Sequence, residues 1–301
     1  MDKLSDLFQQ KYKNQQFVNE NVRNGISNTV KLHEEIENVR SSAAACLNVL
    51  GYLNQHPEDM TIFFNALGLK IDRIIPFPKN FNYDGEIYSD DGPIIFEWIG
   101  PKKSPINENG GSRGQNRTSI DAYLIAEIEG VLTQLFIEWK FTETYNSESY
   151  LHKFGGKKGI ERLRRYSSVL AKIRKKGFPF RYEEEDTMGL FDFSYEPLYQ
   201  LLRMTLLAKM TTPVKLGEIE IKNYKIVHLT HSDNTDLNFI TPNHIKYSPG
   251  LTNFQRKTLH DTWLSILDRE EKENHCMGYW NKALAALSDN VEKSYLMERY
   301  Y

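Results

Sequence analysis

Glu138 and Lys140 stand two positions apart in IEWKFTE, residues 137–143, inside an otherwise apolar and aromatic run. A second acid, Asp121, lies in the preceding apolar run SIDAYLIAEI, residues 119–128. Suppose residues 119–128 and 131–142 form a hairpin that turns at Glu129-Gly130. Ile128 then pairs with Val131, Ala126 with Thr133 and Tyr123 with Phe136, and the same ladder sets Asp121 opposite Glu138. Directly opposed residues share a face, with Cβ atoms roughly 4.5–5.5 Å apart. Lys140, two residues beyond Glu138, falls on that face too. Two carboxylates this close repel each other unless a cation compensates, and hard oxygen ligands suit Mg²⁺ or Mn²⁺. A neighbouring lysine can position water beside the ion or offset charge on a phosphate. The Asp–Glu–Lys face therefore predicts a metal-dependent hydrolytic site. A four-residue loop keeps this register, whereas a three-residue loop would turn the two acids to opposite faces. Glu220-Ile-Lys222 and Glu270-Glu-Lys272 repeat the spacing but have no strand partner carrying an Asp.

The elements that must hold these residues follow from periodicity and turn chemistry. Helices are predicted over 2–23, 27–53 and 56–69, the last with acids in its first turn, where the helix dipole favours them. Residues 70–92 read as turns and short strands, and 93–99 as a strand. A polar Gly/Ser/Asn loop spans 101–117. Beyond the hairpin come a basic helix over 155–177, an apolar-faced helix over 195–210, one or two strands within 218–232, and helices over 251–269 and 273–299.

Composition is that of a soluble globular chain: 301 residues, 40% apolar and 26% charged. Two cysteines exclude a disulfide framework and a cysteine-based zinc site, which points to a reducing interior. No apolar run reaches the roughly 18 residues of a membrane span, and the first residues lack a signal peptide's apolar core, so a cytoplasmic location is expected. The net charge of −2 conceals a block at 151–182 with eleven Lys/Arg and a single acid, Glu161. Such a block is what a polyanion binder carries, although a solvated helix face has the same composition.

The motif series RGQNRTSIDAYL, IEWKFTETY, RLRRYSSVL and YEPLYQLLRMTLLA resembles the PD-(D/E)xK nuclease superfamily and, within it, a bacterial family of restriction endonucleases. The likeness spans roughly residues 30–230. It implies an α/β (α+β) restriction-endonuclease-like fold with an αβββαβ core, a mixed central sheet flanked by helices, and helical additions at both ends. It implies a core over 30–235 between extensions 1–29 and 236–301. Asp121 and Glu138 would be metal ligands for Mg²⁺ or Mn²⁺, Lys140 would lie near the attacking water, and the Trp139 carbonyl would complete the metal shell. The proline that usually precedes the motif's aspartate is absent, Ser119-Ile120 standing there instead. A further acid on the first helix would be Glu35 or Glu34. Glu97 would flank the site from the neighbouring strand, and Gln200 and Arg203, one helical turn apart, would face it.

The expected substrate is DNA, with RNA left open, and the expected reaction is Mg²⁺-dependent endonucleolytic hydrolysis in restriction or phage defence. The alternative is a catalytically inactive nucleic-acid-binding module with the same fold. Phosphate contacts are expected from Arg113 and Arg117 in the polar loop and from Lys157, Lys158, Arg164, Arg165, Lys172 and Arg174 on the basic helix. His228 and His231 read as satisfied histidines rather than zinc ligands. Cutting both strands calls for two active sites, so a homodimer is expected, with partner proteins of a defence system as further candidates. No P-loop is present to drive ATP-dependent translocation.

Overall fold

A computed structural model describes residues 36–78, 81–83, 86–88, 92–110, 117–145, 152–181, 189–246 and 248–301. Helix 2–23, the first part of helix 27–53, and Glu34 and Glu35 lie outside these residues. The first described helix, α1 (Ser42–Gln55), starts later than the spacing predicts, and residues 36–40 are turns. Local competition explains this: the Asn38 side chain accepts from the Arg40 amide at 3.0 Å, and the Ser41 hydroxyl caps the helix by accepting from the Ala44 amide at 3.1 Å. Helix α2 (Pro57–Ala66) opens with Pro57, Glu58 and Asp59, the expected chemistry for a helix N-terminus.

Strand β1 (Ile71–Ile75) and a separate hairpin of β2 (Phe81–Tyr83) and β3 (Glu86–Tyr88) follow, then β4 (Ile94–Trp98), β5 (Ile120–Ile128) and β6 (Val131–Trp139). The β5–β6 turn holds Glu129 at φ +48° and Gly130 at φ +79°. Both central residues are left-handed, as the hairpin turn that matches strand twist requires. The ladder then runs in the predicted register, from Ile128 with Val131 to Ala122 with Ile137. The crossover from β6 carries α3 (Gly156–Ile173) and α4 (Leu198–Thr211), then a small hairpin of β7 (Val214–Leu216) and β8 (Ile219–Ile221). It returns through β9 (Asn223–Thr230), which lies parallel to β6.

The C-terminal expectation needs correction. Residues 251–258 are not a continuous helix, and only α5 (Leu259–Ile266) is helical in its expected place. Residues 275–279, predicted as helix, form strand β10 (His275–Tyr279), parallel to β9. Gly278 permits this close packing: a Cβ there would lie 2.6 Å from Leu67 Cδ2. Helices α6 (Trp280–Ala285) and α7 (Val291–Tyr300) complete the described chain.

The central sheet is mixed, in the order β1-β5-β6-β9-β10, with β4 sharing the β5 edge beyond β1. One face packs on α1, α2, α6 and α7 through Leu124, Ile137, Val227 and Leu229. The other packs on α3, α4 and α5 through Tyr123, Ile125, Phe136 and Ile226. Each layer contains two of the four tryptophans, all essentially inaccessible to solvent: Trp139 and Trp280 in the first, Trp98 and Trp263 in the second.

The second layer is fastened by a buried carboxylate. Glu271, in the short helix Arg269–Glu273, accepts from Lys209 Nζ at 2.7 Å and from the Tyr224 hydroxyl at 2.7 Å, with His275 Nε2 3.4 Å away. Burial alone would raise its pKa, but the His275 imidazole and the Lys209 ammonium outweigh burial and hold it below the ordinary range. A depressed carboxyl contributes stability above its unfolded pKa that is lost as pH falls through the folded value. Glu271→Ala, which strands Lys209 and Tyr224, is expected to cost about 3–5 kcal/mol in urea denaturation. The acid limb of the stability profile should also flatten in that variant.

Candidate active site

The site forms where the β5–β6 ladder ends. Its last pair is Ala122 with Ile137, so Asp121 and Glu138 are the next residues on the two adjoining strands. On its other side β6 stays paired with β9 from Thr133 onward: Glu138 is level with His228, Trp139 with Leu229, and the Lys140 amide donates to the Leu229 carbonyl at 2.8 Å. On the β5 side the Asp121 carboxylate replaces the missing ladder partner, with Oδ2 accepting from the Trp139 amide at 2.7 Å. Asp121 thus fixes the strand end that presents Glu138 and Lys140.

Glu138 is 1% exposed and Lys140 6%. Glu138 Oε1 accepts from Lys140 Nζ at 2.6 Å and from the Gln200 side-chain amide on α4. Its other oxygen, Oε2, is buried with no hydrogen-bond partner. Burial first, and the Asp121 charge second, push the Glu138 carboxyl well above the usual carboxylate range, while Lys140 pulls it back. Burial would lower the Lys140 pKa, but the Glu138 carboxylate outweighs it, and the amine remains protonated. Between the two, Trp139 turns to the opposite face and stacks on Trp280 at 4.6 Å. Its carbonyl accepts from the Ser42 hydroxyl at 3.2 Å.

Glu97 joins this end of the sheet. Phe96 pairs with Ala122 and Trp98 with Ile120, which sets Glu97 beside Asp121 with φ at +53° and the Ser119 hydroxyl donating to it at 2.9 Å. The charge of the three acids is felt at buried Cys46 of α1: burial raises its thiol pKa first, and Asp121, Glu97 and Glu138 raise it further. Arg203, one turn beyond Gln200, lies over the Tyr199 ring at 4.9 Å, and its charge favours the Glu138 carboxylate.

Other expected contacts are placed differently. Arg117 is 6% exposed and donates to the carbonyls of Ile99, Pro101 and Lys102, so its guanidinium closes the loop after β4 instead of facing a phosphate. Arg113 lies outside the described residues. On α3, Lys157, Lys158, Arg164, Lys172 and Arg174 are exposed and Arg165 half-buried, while Tyr166, Val169 and Ile173 face the core. His228 was read from the sequence as a satisfied histidine. It is fully buried beside Glu138, with Nδ1 3.3 Å from His260 Nε2 and Nε2 unpartnered. Its position follows from the β6–β9 register, which has no local signal in the sequence.

The donor set fits a hard divalent cation. An orphaned, buried carboxylate oxygen with a second carboxylate across from it is a site short of positive charge. Among the described residues no three Asp, Glu, His or Cys side chains group to hold an ion unaided. The remaining ligands would therefore be water, a backbone carbonyl or substrate phosphate, as Mg²⁺ accepts readily.

A family model described as Restriction Endonuclease associating with ARP matches residues 3–300, and the chain belongs to that family. No curated protein and no solved structure matches it.

Replacing Asp121 by Asn keeps an acceptor for the Trp139 amide and removes one of the opposed charges. The Asp121→Asn protein should be more stable than the metal-free parent, by roughly 1 kcal/mol. Mg²⁺ is expected to raise the melting temperature of the parent, and that rise should shrink or vanish in the variant; both shifts are read by calorimetry.

Proposed function

We propose that this member of the restriction endonuclease family is a metal-dependent endonuclease of the PD-(D/E)xK type that hydrolyses phosphodiester bonds in DNA. The observation that carries the proposal is the buried Glu138 carboxylate, held by Lys140 and Gln200 on one oxygen, open on the other, and set opposite Asp121. Asp121 and Glu138 would hold Mg²⁺ or Mn²⁺, with the Trp139 carbonyl as a third donor. Bound there, the ion would supply Lewis-acid polarisation of a phosphate oxygen and a lower pKa for water.

The chain's own groups do the rest. Lys140 holds its ammonium against Glu138 at 2.6 Å, where it would offset the negative charge that builds on the phosphate as water adds to phosphorus and the ester bond breaks. Gln200 holds the other oxygen of Glu138, leaving the buried Oε2 without a partner, and the charge of Arg203 favours the carboxylate. Substrate would be drawn in by α3, whose exposed Lys157, Lys158 and Arg164 outnumber the one acid among them, Glu161, and present a predominantly cationic face to a phosphate backbone. Arg162 of α3 and Arg203 of α4 both lie over Tyr199, at 5.6 and 4.9 Å, so the basic helix is packed directly against the helix that carries Gln200. Double-strand cutting would take two copies of the chain, and the family's description names ARP as an associate.

Plasmid incubated with Mg²⁺ tests the reading. Asp121→Ala and Lys140→Ala should each slow cleavage by at least about 100-fold and Gln200→Ala by about 10-fold. A Lys140→Ala protein that cuts at the parent rate would remove the mechanism, and tight binding without cutting by the parent would favour a binding module. Charge reversal at Lys157 and Lys158 should weaken DNA binding and flatten its salt dependence, measured by fluorescence anisotropy.

A further inference from the structure

Away from the carboxylate site, a concavity of about 830 Å³ opens between α5, the segment before it and helix Arg269–Glu273. Five cations line it: Arg181, Arg256, Lys257, Arg269 and Lys272. Asp261 and Asp268 share the wall, and no lining residue belongs to the carboxylate site. Among the described residues, no carboxylate ion-pairs with Arg256, Lys257, Arg269 or Lys272. The two aspartates are engaged locally, Asp261 accepting from the Thr258 hydroxyl at 2.7 Å and Asp268 from the Glu270 amide at 3.0 Å. Two of the cations rest on rings, Arg181 over Phe254 at 5.8 Å and Lys257 over Phe239 at 5.6 Å, which limits the freedom they must lose on meeting a ligand.

We propose that this cleft binds a phosphate-bearing small ligand of mononucleotide size. Its volume lies within the roughly 300–1,000 Å³ of small-molecule sites. Concave walls of one dominant sign focus anions, and fixed guanidinium groups match phosphate geometry. The two carboxylates distinguish the cleft from a DNA track. They would repel a continuous phosphate backbone, whereas a ligand with phosphate at one end and sugar hydroxyls at the other satisfies cations and acids together. The longer, more strongly cationic surface suited to a backbone is on α3.

Calorimetric titration of the full chain with ATP in EDTA, so that no divalent ion bridges ligand and protein, tests this. Saturable binding is expected, weakened at least ten-fold in Arg256→Glu/Lys272→Glu. Lys157→Glu/Lys158→Glu and Asp121→Asn should bind as the parent does. Both cleft positions are exposed, and an unchanged melting temperature in that variant shows that the fold is kept. No binding at millimolar ATP, binding indifferent to the cleft substitutions, or occupation only by a short DNA duplex would each overturn the proposal. The outcome is independent of whether the carboxylate site cuts DNA.

Discussion

Everything near the candidate site answers to one electrostatic constraint: Glu138 is a carboxylate almost wholly removed from water, opposite another acid. Such a group is tolerable only if the protein surrounds it with donors or leaves a place for a cation. The structure treats the two oxygens differently. Oε1 is satisfied twice, by Lys140 just beyond the same strand and by Gln200 from α4, and Oε2 is buried without a partner. Asp121 is turned to a further task, closing the backbone of the strand that bears its partner.

That arrangement demands a rigid frame, and the frame explains the topology. Three strands with different neighbours converge on one point: β4 brings Glu97, β5 brings Asp121 and β6 brings Glu138, while β9 supports the other edge of β6 along its length. Helix α4 spans the second layer and is fixed toward both ends, by Gln200 on Glu138 and by Lys209 on Glu271. The site and the buried network near the start of β10 thus share one stiff element.

The hairpin was legible because its information is local. Alternation with period two and a turn at Glu129-Gly130 define the register, and the register alone places Asp121 opposite Glu138. The same register puts Lys140 on the face of Glu138, and the resemblance turns Gln200 toward the site; that both donate to one oxygen of Glu138 is visible only in the structure. What stayed hidden depends on distant partners. Strand β10 has a mixed sequence, HCMGY, with no alternation, and becomes a strand because β9 offers an edge and Leu67 needs the space a glycine leaves. Helix α1 begins at Ser42 because Asn38 and Ser41 offer the backbone other bonds. Arg117 looked like a phosphate contact by charge and loop position, yet its donors are consumed by three carbonyls. Formal charge in a sequence does not reveal which cations are already occupied.

The tryptophans carry a further consequence. With two indoles sealed in each layer, and Trp139 lying between the acid and the lysine of the motif, the chain contains its own optical probe. Trp139 is stacked on Trp280, whose indole nitrogen donates to the carbonyl of Lys140. Any adjustment of that backbone alters the surroundings of a coupled chromophore pair, so events at the carboxylates are written into the protein's intrinsic ultraviolet emission without a label.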